Sequence, residues 1–141
     1  MRTDPNCIFC KIVAGQIPCF KLYEDAETLA FMDINPGNPG HALAVAKAHW
    51  ENLAAMPPPL LGPVLATAQR VAKAVEAALR PDGINLLQAN GPGAAQSVFH
   101  FHIHILPRRV GDELKMNWGH KPGDMAAIKA DYAKILAAMP K

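Results

Sequence analysis

Apolar residues alternate with polar ones over His100-Phe101-His102-Ile103-His104-Ile105. A period of two sends successive side chains to opposite faces of a strand. Phe101, Ile103 and Ile105 therefore face a core, and His100, His102 and His104 line the other side. The same reading predicts strands over residues 20–24 and 28–33, joined by a turn at Asp25-Ala26-Glu27. Residues 41–47 and 84–89 give two more. Around Leu60, Leu61, Val64, Leu65, Ala68, Val71, Ala72, Val75, Ala78 and Leu79 the spacing changes to i, i+3, i+4. That is one long amphipathic helix, opened by Pro57-Pro58-Pro59 and stopped by Arg80-Pro81-Asp82-Gly83. Its apolar stripe needs a sheet face, and the side carrying Phe101, Ile103 and Ile105 is a candidate.

Shorter elements fill in the rest. Ile8, Phe9, Ile12 and Val13 predict a short helix ending near Gly15. Residues 49–53 read as a helical turn, and 35–40 as a turn-rich loop. Residues 110–123, with Trp118 and His120, read as a surface excursion. A second amphipathic helix follows, capped by Asp124, with Met125, Ile128, Tyr132, Ile135, Leu136 and Met139 on its apolar side. That side packs on the same domain or on a partner.

Composition narrows the class. A chain of 141 residues, half of them apolar, has room for one domain with a real core. The net charge is +2 and no basic stripe is interleaved with aromatics, which argues against polymeric nucleic acid as partner. The polar N-terminus is not a signal peptide and no stretch is long enough to span a membrane, so a cytoplasmic protein is expected. Three cysteines without a secretory signal favour thiols or a metal site over disulfides.

Two clusters could carry chemistry. Imidazole is both a common metal ligand and a common acid, base or nucleophile near neutral pH. Three on one strand are too far apart to share one ion easily, so a division of labour is expected. Cys7-Ile8-Phe9-Cys10 could bind zinc, cycle as a redox pair, or simply pack. The loop Asn90-Gly91-Pro92-Gly93-Ala94-Ala95 could present amides to an anion or be a plain turn.

The run His100-Phe101-His102-Ile103-His104-Ile105-Leu106 resembles the signature of the histidine triad (HIT) family of nucleotide hydrolases and transferases. Further blocks agree in order: Cys7 to Ile12, Ile17-Pro18, Tyr23-Glu24-Asp25, Ala30 to Pro36, Pro39-Gly40-His41 and Lys47-Ala48-His49. The match covers about residues 6 to 109 and looks most like small bacterial members of the Hint branch. It implies an α+β HIT fold with a five-stranded antiparallel sheet in a single domain, and a homodimer. It also implies a purine nucleotide substrate. His102 matches the nucleophile that attacks the α-phosphorus to form a nucleotidyl-histidine. His104, His41 and Ser97 match its catalytic neighbours. Asp33 matches the ribose ligand, Phe9, Phe31 and Ile34 the base pocket, and Gln96 a position by the phosphate. Cys7, Cys10, His49 and His100 match a structural zinc site, which leaves Cys19 as a small apolar packing residue.

Two positions depart from the pattern. Ala89 stands where an Asn is common, and Asn90 takes over that place if the loop is shifted by one. Ala95 stands where Gly is common, so a positive φ there would be strained. The resemblance also leaves a Fhit-type dinucleoside polyphosphate hydrolase, or a nucleotide-binding scaffold with little turnover, as alternative readings.

Overall fold

The computed structural model describes residues 1–115 and 119–141. The order is α1 (Ile8–Val13), β1 (Lys21–Glu24), β2 (Thr28–Met32), β3 (Ala42–Ala46), α2 (Pro58–Leu79), β4 (Gly83–Leu87), a 3-10 turn (Pro92–Ala94), β5 (His102–Arg108) and α3 (Met125–Ala138). The five strands form one antiparallel sheet in the order β1-β2-β3-β5-β4. This is the α+β arrangement that the resemblance implies.

Both faces of the central strands are covered. β3 is buried at all five positions. On one face lie Ala30, Ala42, Ala44, Ala46, Phe101, Ile103 and Ile105, packed against Val64, Ala68, Val71 and Val75 of α2. Four alanines on this face leave room for the helix to lie close to the sheet. The buried stripe of α2 is narrower than its apolar spacing suggested: Leu65 and Leu79 are about half exposed, and Thr67 is buried in their place. Thr67 is accommodated because its hydroxyl lies 2.7 Å from that of Thr28, itself buried, so each has a partner. The opposite face carries Leu29, Phe31, Leu43 and Val45 under Cys7, Phe9 and Cys10 of the N-terminal segment.

Several boundaries shift. His100 lies outside β5, which begins at His102. Residues 49–53 are not helical; only a turn at Leu53–Ala55 forms before α2. Pro57, extended, stands as the N-cap of α2, and Pro58 and Pro59 occupy its first turn. Arg80, in left-handed backbone, ends α2. Gly40 (φ +90°) passes so close beneath the end of α2 that a side chain there would strike Leu79 and Pro107. Asp124 caps α3 as expected, accepting from the Ala126 amide at 3.1 Å. No residue of α3 is buried, so its apolar side does not pack on this domain. Trp118 lies outside the described residues, and His120 is exposed. Among the described residues no helix is long and apolar enough to cross a membrane.

This layering makes unequal use of apolar residues. Ile105→Ala, at a fully buried position, is expected to cost about 2–5 kcal/mol in urea denaturation. Leu65→Ala, on the exposed side of α2, is expected to cost well under about 1 kcal/mol. Equal costs would mean that the α2–sheet interface is not the main core.

Candidate active site and metal cluster

β5 lies beside β3 in a register that pairs His102 with Val45 and His104 with Leu43. This puts both imidazoles on the face opposite α2. They line a cleft of about 600 Å³ that also includes Phe9, Phe31, Asp33, His41, Ser97 and the rim residue Ile34. Of the residues that sequence reasoning placed around a nucleotide, Gln96 and Asn90 are elsewhere. The Gln96 carboxamide accepts from the Gly91 amide (2.8 Å) and donates to the carbonyls of Glu51 (2.6 Å) and Val98 (3.2 Å). It braces the loop that presents Ser97. Asn90 accepts from the Leu53 amide at 2.8 Å and pairs with Gln88. Both amides are engaged in loop structure and do not line the cleft. Ala95 has φ +61°, the strained conformation anticipated for it.

His102 is held by the main chain. Its Nδ1 lies 2.6 Å from the His100 carbonyl oxygen. A carbonyl only accepts, so Nδ1 carries the proton and Nε2 keeps a free lone pair. The Phe9 ring stands edge-on to it at 5.1 Å. On the far side the Gly37 amide lies 2.9 Å from His41 Nδ1, and His41 Nε2 lies 2.8 Å from His104 Nδ1. Asp33 Oδ2 is 3.5 Å from His41 Nε2. Burial lowers the pKa of His41 and His102, with Asp33 opposing it in both. Burial, helped by neighbouring His102 and His41, pushes His104 down to about 4. The imidazoles are thus held neutral.

Sequence reasoning missed part of the lining. Ile12, Ile17, Pro18, Cys19, Leu43 and Leu114 all reach the cleft. Cys19 also packs against the α1-side core, as expected of a small apolar residue. The Gly37 amide carries no side-chain signal at all.

The second cluster joins Cys7 and Cys10 to His49 and His100, all buried, with ligating atoms within 4.8 Å of one another. His49 Nδ1 and His100 Nδ1 are 3.2 Å apart. Sulfur–nitrogen separations are 3.4 Å (Cys7–His100), 3.4 Å (Cys10–His49) and 3.6 Å (Cys10–His100). Tetrahedral bonds of zinc length would give edges of roughly 3.3 Å for N–N and roughly 3.6 Å for S–N. The outer contacts agree as well. His100 Nε2 donates to the Ala46 carbonyl at 2.6 Å, which leaves Nδ1 bare toward the cluster. The Cys10 amide approaches Cys7 Sγ at 3.5 Å, and the Asp4 amide approaches Cys10 Sγ at 3.4 Å. The donor set and spacing fit a closed structural metal site.

Two sites thus share His100, one built of thiols and imidazoles and one of neutral imidazoles around a bare nitrogen. The HIT domain family model matches residues 14–111, which include the cleft histidines and begin after the Cys pair. The chain belongs to the HIT family. "Protein hit" of Bacillus subtilis is 41% identical, covering 98% of this chain and 99% of that protein. Adenosine 5'-monophosphoramidase HNT1 of Saccharomyces cerevisiae is 38% identical over 96% of this chain and 84% of its own length. The crystal structure of a Zn-bound histidine triad family protein from Mycobacterium smegmatis superposes with a TM-score of 0.74, at 35% identity, covering 95% of this chain and 98% of that one. The HIT fold is therefore the fold of this chain.

The histidine electrostatics give a pH dependence. His104 sits at about 4 in the folded chain, against about 6.5 for a free imidazole. The unfolded chain therefore binds more protons between these values. This contribution is fully present above pH 6.5 and is lost as pH falls from there through about 4. Thermal melts from pH 7 to 4 should fall more steeply for wild type than for His104→Asn. Parallel curves would show that His104 is not held neutral by the fold.

Proposed function

We propose that this HIT protein is a nucleotide hydrolase acting on purine nucleoside phosphoramidates through a covalent intermediate on His102. The observation that carries the reading is the bare Nε2 of His102, fixed by the 2.6 Å bond from its Nδ1 to the His100 carbonyl. In the first step Nε2 attacks the α-phosphorus, the Nε2–P bond forms, the P–N bond breaks and the amine departs with a proton from solvent, leaving the nucleotidyl-histidine cationic. In the second, water attacks phosphorus, the Nε2–P bond breaks, the proton lost by water returns to solvent and the nucleoside monophosphate is released with neutral His102 restored. Asp33 would accept from the ribose hydroxyls, and Phe9, Phe31 and Ile34 would enclose the base. Ser97, exposed at the cleft edge, would donate to the phosphoryl group.

The charge of the cleft supports an amine leaving group over a polyphosphate. Among the described residues lining it, Asp33 is the sole formally charged group and there is no Lys or Arg. A departing nucleoside polyphosphate would carry several negative charges with no cation to meet them. The activity named for the yeast relative agrees with this reading.

Zinc belongs to the same proposal, held by Cys7, Cys10, His49 and His100. When bound there it supplies stability and alignment, because four protein ligands leave no open position for a substrate. A homodimer in the cytoplasm completes the reading. The apolar side of α3, open along its length, supports a partner surface.

Two measurements test these statements. Acid quenching during turnover of adenosine phosphoramidate, followed by intact mass spectrometry, should show one added adenylyl group on wild type and none on His102→Ala. Turnover should fall by about 10⁴-fold or more in the variant. AMP release at equal rates from both proteins would place the nucleophile elsewhere. Metal analysis of purified protein should find one zinc per chain, lost in Cys10→Ser together with several degrees of melting temperature. Wild type free of zinc after growth in zinc-replete medium would refute the metal assignment.

A further inference from the structure

Ahead of Cys7 the chain folds over the thiol–imidazole cluster and touches three of its four donor residues. The Asp4 amide approaches Cys10 Sγ at 3.4 Å, and the Asp4 carbonyl accepts from the Cys7 amide at 3.1 Å. Two residues earlier, the Arg2 carbonyl accepts from the His49 amide at 2.8 Å. The Arg2 guanidinium lies over the ring of neighbouring Trp50, 4.5 Å from its centroid. Residues 2–4 thus hold a fixed place beside His49.

The two histidines of the cluster have different outer partners. A metal-ligating nitrogen needs a bare lone pair, so a neutral imidazole carries its proton on the other nitrogen. His100 turns Nδ1 to the cluster and gives its Nε2 proton to the Ala46 carbonyl at 2.6 Å. His49 also turns Nδ1 inward, 3.4 Å from Cys10 Sγ and 3.2 Å from His100 Nδ1. Its Nε2 faces the Asp4 carboxylate, with Oδ2 at 3.8 Å. That distance is in ion-pair range and longer than a hydrogen bond, so Oδ2 acts on the ring by its charge. The other oxygen, Oδ1, accepts from the Asn6 amide at 2.8 Å and shapes the turn into Cys7. Asp4 therefore has two separable contacts, one structural and one electrostatic.

We propose that Asp4 is a positioning residue for the metal site, whose carboxylate behind His49 favours the ring tautomer with a bare Nδ1 toward the thiols and so tightens binding of zinc. This rests on the zinc assignment and deepens it. Carboxylates behind ligating imidazoles raise the basicity of the ligand nitrogen. The two thiolates already balance the charge of a dication, and Asp4 adds a further negative charge just outside the donor set. The Asp4 side chain is 42% exposed, so solvent screens part of the effect. Its size should therefore lie at the low end for such outer partners, about tenfold in affinity.

Titration of metal-free full-length protein with zinc, in competition with a chromogenic chelator, tests this on wild type, Asp4→Asn and Asp4→Glu. The asparagine oxygen can still accept from the Asn6 amide, but the charge behind His49 is gone. Glutamate keeps the charge and loses the short turn. The zinc Kd should rise about tenfold in Asp4→Asn and stay within about threefold of wild type in Asp4→Glu. The metal-free forms of wild type and Asp4→Asn should melt together, because the turn is retained. Zinc bound as tightly by Asp4→Asn as by Asp4→Glu would overturn the proposal and leave Asp4 as a turn residue only. Long-range proton–nitrogen correlation spectra of the zinc-loaded wild type should show the His49 proton on Nε2; a proton on Nδ1 would overturn it equally. Wild type that takes up no zinc would sink the metal assignment and this proposal together. Tight binding that Asp4→Asn leaves unchanged would sink the proposal alone.

Discussion

His100 is bonded through three of its polar atoms, and both sites depend on that. Its Nε2 donates to the Ala46 carbonyl on β3, its Nδ1 faces Cys7, Cys10 and His49, and its own carbonyl receives the proton of His102. The residue has no side-chain exposure at all. A buried imidazole with every polar atom engaged cannot turn without breaking at least one of these contacts, and an unpaired buried group costs about 1–3 kcal/mol. The orientation of His102 is therefore inherited from a residue that takes no part in the cleft. Disturbing the thiol–imidazole cluster would move the carbonyl, and with it His102 Nε2, the nitrogen proposed above as the nucleophile.

Burial does a second job. A protonated imidazole has no lone pair, so a nucleophilic histidine has to stay neutral near pH 7. Desolvation is the leading cause of the lowered pKa at His41, His102 and His104 alike. The apolar walls formed by Phe9, Phe31, Leu43 and Leu106 set the protonation state of the imidazoles as well as the shape of the cleft. Asp33 opposes the effect from one side without reversing it. A layer that would read as ordinary core is thus part of the electrostatics of the site.

Much of this was legible along the chain, for identifiable reasons. The alternation of Phe101, Ile103 and Ile105 with His102 and His104 reported the two faces of β5 correctly, because a strand between two packed layers has no freedom to mix them. The strongly periodic Val64, Ala68, Val71 and Val75 located α2. The relation between His49 and the Cys pair was not legible from periodicity, since the contact spans 39 residues and only the family resemblance linked them. Gln96 and Asn90 were assigned to the nucleotide by position; Gln96 bonds to main-chain groups and Asn90 to the Leu53 amide and the Gln88 side chain, contacts set by loop geometry that a sequence does not display. The Gly37 amide was invisible for the same reason: it acts through a backbone group that every residue but proline has.

The thiol–imidazole cluster has a consequence for how the chain comes into being. Cys7 and Cys10 are made well before its last donor, since His100 emerges 93 residues after Cys7. Phe9 likewise waits for His102 before that end of the cleft has a floor. Until then the segment carrying Cys7, Phe9 and Cys10 lacks part of its cover, and neither cluster is complete. Domains generally fold as units during synthesis. Here the unit closes only when β5 slots between β3 and β4, so the imidazole cleft and the thiol–imidazole cluster are both completed in that closing step.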